Sequence, residues 1–117
     1  MYSEFPVPER FRPVIKDLVH ELVVSNYSGL ETDGRAGLFS AERLHEVVTD
    51  YSPCTFIDLP DEVWEQADAY YIERRGYWAV DVPLWTVEEG RSDLTLQVTI
   101  HETDDGFNIA IENLHVL

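Results

Sequence analysis

Apolar residues at Phe11, Val14, Ile15, Leu18, Leu22 and Val23 recur at spacings of three and four. That period predicts a helix with one buried face, ending near Ser25-Asn26. Pro13 fits only near its start or at a bend, because proline lacks the amide a helix interior requires. Phe5-Pro6-Val7-Pro8 reads as an irregular start, and Gly29, Asp33-Gly34 and Gly37 mark a loop after the helix. Ser40 then predicts the N-cap of a second helix, in which Leu44, Val47, Val48 and Tyr51 repeat the spacing and which Ser52-Pro53 ends. Leu59-Pro60-Asp61-Glu62 predicts a short helical turn, with acids beside the positive end of its dipole.

Near residue 68 the period changes to two. Ala69 to Glu73 and Tyr77 to Trp85 flank Arg74-Arg75-Gly76, a hairpin signal. Leu94, Leu96, Val98 and Ile100 alternate with polar residues, so these four face a core. Asp104-Asp105-Gly106 turns the chain into Phe107, Ile109 and Ile111, after which the apolar parity shifts to Leu114 and Val116, the mark of a bulge or bend. Helices first and hairpin-linked strands afterwards predict one α+β domain over residues 1–117: two main N-terminal helices packed on a bent four-stranded antiparallel sheet. A strongly bent version would resemble the cone-shaped fold of nuclear transport factor and ketosteroid isomerase proteins.

Charge narrows the choice of partner. The 117 residues hold 23 acids against 8 bases, a formal net charge of −15. Residues 1–58 carry ten acids and five bases, and residues 59–117 carry thirteen and three. Tracking phosphates requires clustered Lys and Arg, which occur together only at Arg74-Arg75, so direct nucleic-acid binding and attraction to an anionic membrane are disfavoured. A basic protein partner is favoured, since opposite fields steer encounter. The single Cys54 excludes an internal disulfide, and the chain starts without a signal-peptide pattern, which suggests a cytoplasmic setting.

Catalytic chemistry finds little support. His20-Glu21, His45-Glu46 and His101-Glu102 each lack the second histidine four places on that a zinc helix needs, with Val24, Thr49 and Asp105 standing there instead. No metal or other cofactor is expected. Cys54 has no basic neighbour in sequence to lower its pKa, and reads better as a small hydrophobe than as a nucleophile. Asp81 would be the general base of an isomerase-like pocket, yet alternation places it opposite Trp78, Val80, Val82 and Leu84, away from the core. By the same parity Tyr77, Ala79, Asp81, Pro83 and Trp85 point outward. Trp85 is then either an exposed anchor or covered by the N-terminal segment or another subunit.

The stretch Val82-Pro83-Leu84-Trp85-Thr86-Val87-Glu88-Glu89-Gly90-Arg91-Ser92-Asp93-Leu94-Thr95-Leu96, with Ile111-Glu112-Asn113-Leu114-His115-Val116-Leu117, resembles a group of small bacterial proteins. That group includes immunity proteins for polymorphic or contact-dependent growth-inhibition toxins. Arg12-Pro13-Val14-Ile15-Lys16-Asp17-Leu18-Val19 is compatible with it. The resemblance implies binding without catalysis: occlusion of a cognate toxin domain, with a basic nuclease the natural target of a polyanion. It brings no catalytic residues. The same stretch also has a purely structural explanation, with Gly90 supplying a turn and Ser92 and Asp93 satisfying loop amides. The expected partner-binding residues are Trp85 as anchor, with Glu88, Glu89, Asp93, Asp104 and Asp105 as acidic rim at opposite ends of the sheet. Two other readings stand beside this one. The first is a ketosteroid-isomerase-like pocket enzyme or small-ligand binder, and the second is a homodimer through the exposed sheet face.

Overall fold

The computed structural model describes residues 2–4, 6–51 and 54–116. The expectations that fall on Phe5, Ser52-Pro53 and Leu117 lie outside the described residues. Strand β1 (Tyr2–Glu4) comes first, and a 3-10 turn over Glu9–Phe11 leads directly into helix α1 (Arg12–Val23). Pro13 sits in the first turn of α1, where its missing amide costs nothing. Ile15, Leu18, Val19 and Leu22 form the buried face. Ser25, in the left-handed region at φ 62°, reverses the chain after the helix.

The expected loop contains a second helix, α2 (Tyr27–Thr32). The Asn26 side chain caps it by accepting the Gly29 amide at 3.3 Å, and Tyr27 and Leu30 anchor it in the core. Six residues are too few to show a period, which is why the loop glycines dominate the sequence signal. Ser40 caps helix α3 (Ala41–Asp50) as expected, its hydroxyl accepting the Arg43 amide at 3.0 Å. The 3-10 turn at Asp61–Glu65 follows Pro60 and buries Val63 and Trp64.

The meander is as the alternation predicts: β3 (Asp68–Ile72), β4 (Tyr77–Thr86), β5 (Gly90–Thr103) and β6 (Gly106–Val116), each antiparallel to the next. Two short strands enlarge the sheet to six. β1 pairs with β3, and β2 (Phe56–Ile57) pairs with the end of β4, Ile57 opposite Trp85. The sheet curls around the helices, giving an α+β fold with its helices in the N-terminal half. Its bend has visible causes: β4 shifts register between Pro83 and Trp85, and Glu112 is an extra residue in β6 where Gln97 faces Asn113 but Val98 faces Ile111. Leu114 is buried by that shift, whereas Val116 ends up 56 % exposed at the strand end.

Inside the curl Phe11, Ile15, Leu18, Leu30 and Leu44 meet Val80, Leu94, Leu96 and Ile100 in one contiguous core. Each such side chain contributes roughly 1.5–3 kcal/mol by leaving water. Phe11 packs edge-on against Trp78 and Phe107, with centroids 5.4 and 5.2 Å away. The Trp78 indole donates to Glu102 at 3.0 Å, and Arg10 pairs with the same carboxylate at 3.4 Å, closing that end of the core.

Candidate interaction surface

Trp85 is the clearest correction. It is only 6 % exposed and belongs to the core, so it cannot anchor a partner on an open face. β2 pairs with this end of β4, Ile57 opposite Trp85, and here the strand is buried on both faces, so alternation no longer separates inside from outside. From Val82 to Thr86 every residue is buried.

Glu88 and Glu89 are exposed in the β4–β5 turn, but they are engaged inside the protein. The Thr55 amide and hydroxyl donate to the Glu88 carboxylate at 2.7 and 3.0 Å, and the Val87 amide donates to the Thr55 carbonyl at 2.9 Å. The Thr55 amide holds the Glu88 carboxyl below its ordinary range, since hydrogen bonds to the ionised form favour it. Glu89 accepts the Tyr51 hydroxyl at 3.1 Å and the Cys54 thiol at 3.4 Å. The Asp93 amide donates to the Tyr51 oxygen at 2.8 Å. These contacts tie the end of α3 and strand β2 to the turn. Asp104 and Asp105 are exposed in the β5–β6 turn and make no hydrogen bond or ion pair among the described residues. The two acidic turns lie at opposite ends of β5, as the meander requires, so the six expected residues form no single patch.

The residues that do come together are on the outer face of the sheet. Tyr70, Ala79, Thr99 and Ala110 form one cross-strand row, and Asp68, Asp81, Gln97 and Asn113 form the next. Tyr77 and His101 add a ring pair 5.0 Å apart. Asp81 faces outward, as the parity argument requires, while Trp78, Val80, Val82 and Leu84 face the core. Asp68 and Asp81 are direct neighbours of like sign, an arrangement that destabilises a sheet unless something offsets it. Burial, then the Asp68 and Asp81 charges, push the Tyr70 phenol above its ordinary range. β3, β4 and β6 contain no Lys or Arg, and β5 has only Arg91 near its start. The sequence reading found half of this face through Tyr77, Ala79 and Asp81, but missed β3 and the β5–β6 partners, because cross-strand register is not written in any one strand.

The other candidate chemistry is dispersed. His20 donates from Nδ1 to the Asp58 carboxylate at 2.8 Å, and that hydrogen bond raises its pKa. His45 packs edge-on against Tyr27, and His115 keeps a buried Nδ1 without a partner among the described residues. No group of three His, Cys, Asp or Glu side chains among the described residues could hold a metal. Cys54 and His45 do line one groove of about 300 Å³, yet desolvation, then the Glu89 carboxylate, push the Cys54 thiol up, opposite to what a nucleophile needs. Among the described residues the buried polar side chains are Thr86, Ser92 and Thr95, so no carboxylate sits inside the curl. A groove of about 860 Å³ is on the surface between Trp64, Arg12 and Lys16 and the acids Glu9, Asp61 and Glu65. No described helix is long and apolar enough to cross a membrane.

Neither the curated proteins nor the solved structures include a match to this chain. A family model does match, over residues 19–117, which take in α2, α3 and the whole meander together with the last five residues of α1. The chain belongs to the family described as Domain of unknown function (DUF7668).

Proposed function

We propose that this protein is an immunity protein, which binds a basic bacterial toxin domain and neutralises it by occlusion. One observation carries the reading: the outer sheet face combines tyrosines, the small residues Ala79, Thr99 and Ala110, and the Asp68–Asp81 pair, with no Lys or Arg on β3, β4 or β6. Aromatic side chains around small ones suit the centre of an interface, and unneutralised carboxylates suit an Arg- or Lys-rich partner. A partner cation would relieve the Asp68–Asp81 repulsion, so binding would gain what the free sheet loses. The toxin identity rests on the sequence resemblance. The net charge of −15 agrees with a nuclease whose channel is basic. Against a pocket enzyme stands the filled interior, where Leu96 and Ile100 occupy the space a substrate would need.

The same charges disfavour a homodimer through this face, because a second copy would set its own Asp68 and Asp81 against the first pair. The experiment examines the genes adjacent to this one for a large toxin and co-expresses that toxin's C-terminal domain with this protein; the absence of a toxin gene there counts against the reading. Growth should be restored by the parent protein and lost with Asp68→Lys plus Asp81→Lys, once circular dichroism shows that the variant is folded. Unchanged toxicity with the parent protein overturns the reading.

A further inference from the structure

The outer edge of β6 is closed at two places and open at one. The Ile111 amide points away from β5 and donates to the Arg35 carbonyl at 2.8 Å. Antiparallel pairs alternate between bonded and unbonded, so the amides and carbonyls of Ile109 and Phe107, two and four residues earlier, point the same way. Beyond the bulge the Leu114 amide is capped at 2.9 Å by the Asn113 side chain. Gly37 closes the same edge at the Ile111 carbonyl: a Cβ there would lie 2.2 Å from that oxygen, and its φ is 64°. Nothing among the described residues pairs with the Phe107 and Ile109 amides. A groove of about 340 Å³ runs beside them, bounded by Asp33 and Arg35, which pair with each other at 2.8 Å. Sheet edges left open in this way are templates for another strand.

We infer that the Phe107–Ile109 edge of β6 takes an extended, basic strand of the protein partner by main-chain pairing. The inference deepens the reading of this protein as a binder of a basic toxin domain, and rests on it for the partner's charge. Pairing supplies affinity without regard to sequence, and the neighbouring Asp104 and Asp105 carboxylates select a cationic strand. A second copy of this chain is excluded as occupant on two counts. Its own Arg35–Gly37 loop fills the edge beside Ile111 that an antiparallel β6 would need, and each copy carries −15.

The test is an amide NMR titration of the full chain with the peptide acetyl-Lys-Thr-Val-Lys-Val-amide and with the same peptide N-methylated at alternate residues. The unmethylated peptide should shift the Phe107 and Ile109 amides and slow their exchange at least tenfold at saturation. The methylated peptide should do neither, and Asp104→Lys with Asp105→Lys should weaken the first peptide severalfold. Equal effects from both peptides, or shifts spread over the acidic surface with Phe107 and Ile109 unmoved, overturn the inference. A toxin domain that is neutralised while leaving these two amides unprotected would sink strand addition alone. A toxin domain that does not bind at all would sink the functional reading while the peptide result stands.

Discussion

Two turns of the sheet carry adjacent acids, and they do opposite things. At the β4–β5 end, Glu88 and Glu89 hold Thr55, Tyr51 and Cys54, so the acids fasten β2 over Trp85 and join α3 to the sheet. At the β5–β6 end, Asp104 and Asp105 hold nothing among the described residues and sit beside an edge with open amides. The difference comes from what the fold places opposite each turn. The returning chain from α3 passes the first, so its carboxylates find donors. At the second the carboxylates are exposed and no donor among the described residues reaches them. Acidity in a turn is therefore a charge whose role its surroundings assign.

The largest effect that would break this comparison is on Trp85. If the β4–β5 end is structural, Trp85→Ala should lower stability by about 3–5 kcal/mol, as for other buried aromatics, in urea denaturation. A change near zero would return Trp85 to the surface. Glu88 sharpens the contrast through pH. Its folded carboxyl titrates below the ordinary 4.5, so its stabilisation is fully present above that value and is lost as the pH falls through the lowered one. Glu88→Gln should therefore lower the neutral-pH denaturation midpoint and flatten its acid dependence below pH 4.5, while Asp104→Asn should leave the neutral-pH midpoint unchanged. The smallest effect on the fold should come from Asp104→Lys with Asp105→Lys, which should leave the midpoint unchanged. The same pair should slow association with a basic toxin domain by roughly tenfold at low salt, and less at high salt, in surface-plasmon kinetics. A shifted midpoint would show that this turn is also a latch.

Much of the fold was legible because burial on one face writes a period into the chain. The faces of α1 and α3, the Ser40 cap, the Arg74-Arg75-Gly76 hairpin and the Leu94–Ile100 alternation all stand where the pattern puts them. The bulge at Glu112 was legible too, as the slip from Ile111 to Leu114. α2 and β2 were hidden by length, since six and two residues carry no period. Trp85 was misplaced because Val82-Pro83-Leu84-Trp85 is apolar throughout and gives no parity of its own. A count carried forward from Trp78 cannot register that this end of β4 is buried on both faces.

By itself the sequence determined the α+β class, the order of the main elements, the core-facing residues of β5 and a net charge of −15. Those properties are local or additive, being set by the spacing of apolar residues or by a sum over the chain. Only the tertiary structure decided that Glu88 meets Thr55, that Asp68 stands beside Asp81, and that Arg35 closes the β6 edge at Ile111 but not at Ile109. Each of these joins residues distant in sequence or on different strands, and depends on register and curl. Register is set by the packing of the whole core, so no single segment contains it.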